Sequence, residues 1–247
     1  MTSPPTIAAH VNLRFPGLAV DLRGLEDHCR EYESLLIARF TPEHDRNNDP
    51  ALSLRDKARL LMMATTYHAH ALTWGLIEAI NQDSPPAAFL LARAHFEVTG
   101  LVAYLLLRLR KHPDGQLPEQ ELHDVIVRLY TGTKKHPPGT SDAVVEKTTA
   151  VNVASFADAV DKLPELKAAG QFRETWEWLS EFCHPNAFSR FISGQRLVGR
   201  EIHFDTRPTL KEDSLTPILV ASSISQEVFF FSRQETLLLV EQLRSDA

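Results

Sequence analysis

Apolar residues recur at three- and four-residue intervals along most of this 247-residue chain, in long windows separated by proline-rich breaks. That period marks one face of an α-helix, and stripes of this kind are buried by packing helix on helix. Only 10 glycines are spread over the chain, which also argues for helix over sheet. The pattern predicts an all-α fold: a bundle of six to seven helices with a small β-hairpin near 188–205.

An irregular N-terminal arm over 1–20, holding Pro4, Pro5, Pro16 and Gly17, precedes a single helical domain over 21–247. A first helix is predicted from Asp21 to Phe40, with Leu22, Leu25, Tyr32, Leu35, Leu36 and Phe40 as its stripe, and 41–50 breaks it. Ser53, three residues before Asp56, reads as a capping box that opens a second helix reaching Asn81. Ser84 with Pro85 and Pro86 starts a third, because proline in a first turn gives up only an amide without a helical partner. This third helix, to Arg110, is apolar almost all round and is therefore expected at the centre.

A fourth helix spans Pro118 to Tyr130, and a loop follows through Lys134 to Gly139. Residues 141–163 are weakly helical, since Val, Thr and Asn lower the propensity. A helix from Gly170 to His184 then stops at Pro185, Arg196 to Phe204 alternates as a hairpin does, and a last helix covers Leu215 to Arg244. Phe229, Phe230 and Phe231 in that last helix suit either the core or the surface of a homodimer.

The composition, 43% hydrophobic and 23% charged, is that of an ordinary folded protein. A formal charge of -6 and the lack of a long basic run disfavour non-specific nucleic-acid binding. The longest apolar run, Gly100 to Leu107, falls short of the roughly 20 residues of a membrane span, so no membrane is expected as a partner. Cys29 and Cys183 fit no metal or CxxC spacing, and the N-terminus has no secretory pattern, so a cytoplasmic protein with reduced thiols is expected.

Polar chemistry crowds onto two helices. Arg93 and Glu97 share a face of the third helix through their four-residue spacing, where a buried pair would neutralise itself. The helix Trp176-Glu-Trp-Leu-Ser-Glu-Phe-Cys-His184 presents Ser180 and His184 on one face, with Glu181 beside them and Asn186 just beyond. His184, Ser180 and Glu97 are the catalytic candidates, and Arg93, Glu97, Ser180, Glu181, His184 and Asn186 the binding candidates. No Gly-x-Ser-x-Gly elbow precedes Ser180, and a mid-helix serine commonly bonds back to the preceding turn.

Glu181-x-x-His184 matches half of a di-metal carboxylate motif, but no second copy occurs, and no metal ligand is assigned. Tyr67-His-Ala-His70 places its histidines on different faces, and no glycine-rich nucleotide loop implies a cofactor.

The Arg93-x-x-x-Glu97 helix and the Leu179-Ser-x-x-x-His-Pro-Asn186 helix end resemble a pattern in uncharacterised bacterial helical proteins. More distantly, the chain is similar to the HEPN helical bundles of toxin and defence systems, some of them metal-independent ribonucleases. That resemblance implies an arginine and a histidine a few residues apart that converge, usually across a dimer, on RNA. The loose pattern falls at Arg23 to His28, Arg39 to His44 and Arg196 to His203.

Three readings follow. One is a non-catalytic bundle that binds a partner protein or a small molecule, with Arg93, Glu97, Ser180 and His184 as a buried polar network. The others are a HEPN-like ribonuclease and a di-metal carboxylate protein; at this point enzyme and non-enzyme both stand.

Overall fold

The computed structural model describes residues 4–42, 52–113, 116–133, 140–141, 149–166, 170–184, 186–192 and 194–243. Its helices are α1 (Ala9–Arg14), α2 (Ala19–Ser34), α3 (Leu54–Asn81), α4 (Pro85–Lys111), α5 (Glu119–Thr131), α6 (Val153–Val160), α7 (Gly170–Cys183), α8 (Ala187–Ile192) and α9 (Glu212–Val240). A 3₁₀ turn, Pro16–Leu18, joins α1 to α2. The antiparallel hairpin β1 (Gln195–Val198) and β2 (Glu201–Phe204) lies between α8 and α9. The architecture is the all-α bundle with one small hairpin that the periodicity predicts.

Helix α4 is the central element, packing against α3, α5, α6, α7, α8 and α9. Its all-round apolar surface requires this position, because any face left outside would keep apolar area in water. Contact with α6 is close enough that a Cβ on Gly100 would stand 2.9 Å from the backbone carbonyl carbon and the Cβ of Phe156. Only a residue without a side chain allows the two helices to meet there.

Both expected helix starts hold, and Ser53 supplies the N-cap half of the expected capping box. Ser53 Oγ accepts from the Asp56 amide at 3.1 Å, and Pro85 occupies the first turn of α4. Several boundaries differ. The N-terminal arm contains α1 and the 3₁₀ turn, and Ile7, Val11, Phe15 and Leu18 from it are buried in the core. Its amphipathic pattern is a single short turn or two, too brief to stand out in the sequence beside its prolines.

Helix α2 ends at Ser34, not Phe40, with backbone bonds from the Leu35 and Leu36 amides closing the last turn. The first residues of the expected 188–205 hairpin instead belong to the extra helix α8, and α9 starts three residues earlier than expected, with Pro217 tolerated early in the helix. Within the weakly helical 141–163 stretch, the helix α6 is capped by Asn152, whose side chain accepts from the Ala154 amide. The break at 43–50, the loop at 134–139, residues 142–148, Pro185 and the expected end of the last helix at Arg244 lie outside the described residues.

Helices α4 and α9 are each long and apolar enough to cross a membrane, judged by length and composition alone. In the bundle, 56% of the apolar window of α4 and 50% of that of α9 is buried. A search for uninterrupted apolar runs misses such helices because their averaged hydropathy tolerates a few charges. Phe229 is fully buried, and Phe230 and Phe231 are partly buried and packed on the core. The three aromatic residues therefore turn inward along α9.

Candidate functional site

The apolar stripes that bring α4 and α7 together also carry the polar residues singled out from the sequence. Arg93 and Glu97 share a face of α4, with Nε 3.2 Å from Oε1. The contact is an ion pair without an in-line hydrogen bond, since Arg93 Nε has no acceptor in good geometry. Trp176 of α7 donates its indole N–H to the same Glu97 Oε1 at 3.3 Å, and the Arg93 guanidinium sits 6.0 Å from the Trp176 ring centroid.

The pair is not sealed, with side-chain exposures of 23% and 31%. Water therefore screens the ion pair, which is worth less than a buried one. Its neighbour Cys183 has its thiol pushed up by burial, with Arg93 pulling the other way.

Ser180 does not join this group. Its hydroxyl donates to the Trp176 carbonyl at 2.7 Å, the back-bond typical of a serine inside a helix. His184 is exposed at the end of α7, where its backbone amide donates to the Ser180 carbonyl.

Asn186 caps the short helix α8: its side-chain carbonyl accepts from the Ser189 amide, and its amide N–H₂ reaches Glu181 Oε2 at 2.7 Å. So Arg93 and Glu97 meet Trp176, Glu181 meets Asn186, and Ser180 and His184 stand apart from both. The buried network expected from Arg93, Glu97, Ser180 and His184 is not formed, because the helix end carries His184 outward.

A sealed polar network does exist, on residues the sequence reading passed over. His95, between Arg93 and Glu97 on the opposite side of α4, is buried together with Tyr32 of α2, Thr99 of α4 and Ser225 of α9. Tyr32 Oη is 2.9 Å from His95 Nε2, and His95 Nδ1 is 2.7 Å from Ser225 Oγ. Thr99 Oγ1 lies 2.9 Å from Ser225 Oγ and donates to the Ser225 carbonyl at 3.2 Å.

One proton order gives every donor an acceptor among the described residues. Tyr32 donates to His95 Nε2, His95 Nδ1–H to Ser225 Oγ, Ser225 to Thr99 Oγ1, and Thr99 to the Ser225 carbonyl. The reverse order leaves the buried Tyr32 proton without an acceptor. The chain of bonds therefore assigns the Nδ1–H tautomer of a neutral imidazole.

Burial holds His95 down at about 3, and the nearby His28 and His68 push in the same direction. The Tyr32 phenol is pushed up, chiefly by burial. Both groups are neutral at pH 7. The signal in the sequence was a histidine inside the most apolar helix, with threonine one turn later at Thr99. Its partners on two distant helices left no local trace.

The aromatic residues of α7 dock along α4. Phe172 lies 4.4 Å from Phe96, Phe182 stacks on Phe89 at 4.1 Å, and Trp178 meets Phe89 edge-on at 5.7 Å. They pack along the α4–α7 seam.

The arginine–histidine pairs separate in three ways. Arg23 is exposed on α2 while His28 is half-buried, and His44 lies outside the described residues. Arg196 and His203 face each other across the hairpin register, both exposed. Among the described residues, no group of three or more His, Cys, Asp or Glu side chains is placed to hold a metal ion.

Set beside known protein families, curated proteins and solved structures, the chain matches none of them.

Proposed function

We propose that this chain is a non-catalytic helical-bundle binding module for a small molecule or a partner protein, in which a buried polar network fixes one packing of α2, α4 and α9. The observation that carries this reading is the double engagement of His95, whose two ring nitrogens are both hydrogen-bonded inside a sealed interior. A general base needs reach to a substrate proton and a pKa near the working pH. His95 has neither.

A fully satisfied network of this kind rigidifies a core and specifies a single arrangement of its helices. The other candidates show no catalytic pairing either: the part-buried Ser180 hydroxyl donates to its own helix, and the exposed His184 side chain makes no hydrogen bond to Ser180 Oγ or Glu97. The test combines stability with turnover. Tyr32→Phe and Ser225→Ala should lower unfolding free energy, while the native protein shows no turnover of ester, phosphodiester or RNA substrates. Turnover that disappears in Ser180→Ala or His184→Ala at unchanged stability would reject the reading.

A second reading, a HEPN-like metal-independent ribonuclease, has one geometric support. The hairpin register sets Arg196 opposite His203, so a guanidinium could hold a phosphate beside an imidazole acting on a ribose hydroxyl. Its test is cleavage of mixed RNA in the presence of a chelator. Cleavage that persists in His203→Ala, or no cleavage at all, removes this reading.

A further inference from the structure

One turn past the close contact of Gly100 with Phe156, the seam between α4 and α6 opens into a recess of about 190 Å³. Three cations line it: Arg108 and Lys111 from the last turn of α4, and Lys162 just beyond the end of α6. The chain as a whole carries a formal charge of -6, so three cations around one small recess depart from its average.

None of the three has a carboxylate partner among the described residues. The neighbouring Arg110 is held by Glu165 at 2.9 Å and Glu235 at 3.2 Å, whereas the exposed Lys111 and Lys162 side chains make no hydrogen bond or ion pair among those residues. Asp158 is the single carboxylate among the described residues of the lining, and it is already paired with Arg173, which stands outside the recess.

Arg108 is held in place before any ligand arrives. Its Nη2 donates to Tyr104 Oη at 2.7 Å, its guanidinium carbon lies 4.8 Å from the Tyr104 ring centroid, and that ring packs edge-on against Phe156 at 5.7 Å. The bond leaves Arg108 Nε and Nη1 free to donate, and because Tyr104 is its acceptor, the phenol proton is free as well. Ser155 adds a second hydroxyl, whose side chain makes no bond among the described residues. These unpaired donors of Arg108, Tyr104 and Ser155 are not sealed from water, so a solute can approach them.

The lining therefore selects an anion, and the supply of donors selects its kind. A carboxylate has one charge and two oxygens, whereas a phosphate monoester brings a charge of about -1.5 to -2 at pH 7 and three acceptor oxygens. Three cations and two hydroxyls match the second. The volume exceeds the ~30 Å³ share of one water and falls below the ~300–1,000 Å³ of drug-sized pockets, which leaves room for a compact group. Lys111 and Lys162 also stand near helix ends, where their charges offset the partial negative charge of the carbonyls.

We propose that the α4–α6 recess binds the phosphate monoester group of a small molecule, with Arg108, Lys111 and Lys162 on its oxygens and the Tyr104 and Ser155 hydroxyls donating to it. This inference rests on the binding-module reading and gives it a site and a ligand class.

Titration of the native protein with glycerol phosphate and phenyl phosphate, followed by calorimetry and by the Ser155 amide NMR signal, should give saturable binding that weakens as salt rises. Dimethyl phosphate, a diester with one charge, and acetate should bind at least about tenfold more weakly. Lys111→Gln and Lys162→Gln, exposed changes safe for folding, should each weaken binding about fivefold. Tyr104→Phe, which keeps the ring on Phe156, should weaken it severalfold. Arg23→Gln, which removes an exposed cation from α2, should leave it unchanged.

No binding of either monoester, equal binding of dimethyl phosphate, or full binding in the Lys111→Gln, Lys162→Gln double variant overturns the proposal, and the cations then serve the helix ends alone. Monoester bound and released intact supports both the site and the non-catalytic reading. Monoester bound and hydrolysed keeps the site and overturns that reading.

Discussion

Tyr32 Oη meets His95 Nε2 at 2.9 Å, joining two helices that are separated in the chain by the whole of α3. This bond begins the relay that ends on the Ser225 carbonyl and ties three helices together at one point. Tyr32 also packs edge-on against Phe229 at 5.1 Å and tilted against Phe230 at 4.7 Å. Its ring and its hydroxyl therefore both act on α9, one directly and one through His95.

Tyr32→Phe should keep these ring contacts and remove only the hydroxyl. That leaves His95 Nε2 as a buried acceptor without a donor, at a cost of about 1–3 kcal/mol. Urea denaturation reads the difference. A change within about 0.5 kcal/mol would mean that the relay adds little to stability.

Acid should destabilise the fold over a defined range. The unfolded chain protonates His95 near its ordinary 6.5, whereas the native state resists until about 3. Between these values the unfolded state binds more protons, so stability rises with pH. The contribution is complete above about pH 6.5 and is lost as pH falls toward 3, at up to about 1.4 kcal/mol per pH unit. His28 and His70, both lowered mainly by burial, act in the same direction. Unfolding free energies at pH 7 and pH 5 test this above the main carboxylate range, and long-range ¹⁵N spectra at pH 5 should show His95 neutral with its proton on Nδ1.

Two glycine substitutions should have opposite signs. Gly24→Ala meets no atom and sits within a helix, so it should stabilise by about 0.5–1 kcal/mol. Gly100→Ala has the same helical gain but drives its Cβ against the Phe156 backbone, and separation of α4 from α6 should destabilise by about 1–3 kcal/mol. Thermal melts of the two variants should move in opposite directions.

Glu97→Gln should be milder than Glu97→Ala. Glutamine loses the charge attraction to Arg93 but can still accept from the Trp176 indole, and an ion pair this exposed is worth about 0–1 kcal/mol. Alanine removes both contacts and should add the loss of the indole bond. Trp176 fluorescence should shift in Glu97→Ala and stay close to native in Glu97→Gln.

Ser180→Ala should change stability by no more than about 0.5 kcal/mol, because the hydroxyl bonds only within its own helix. A large loss would show that Ser180 has a tertiary role beyond that back-bond.

What the sequence determined was what lies in local spacing. The period of the apolar residues specified helices, Ser53 and Pro85 marked where two of them start, and the all-round apolar surface of Pro85–Lys111 put that helix at the centre. Each of these depends on residues within a few turns of one another. The same holds for the Arg93–Glu97 pair, one turn apart on a single helix.

Tertiary structure decided which polar residues meet across helices. Ser180 and His184 have the spacing of a working pair, yet the end of α7 directs one into its own helix and the other into solvent. His95, flanked by more conspicuous charges, finds Tyr32 and Ser225, 63 and 130 residues away. Periodicity records which face of a helix is buried, whereas the partner of a buried polar atom depends on how several helices pack together, and one chain's local pattern does not encode that.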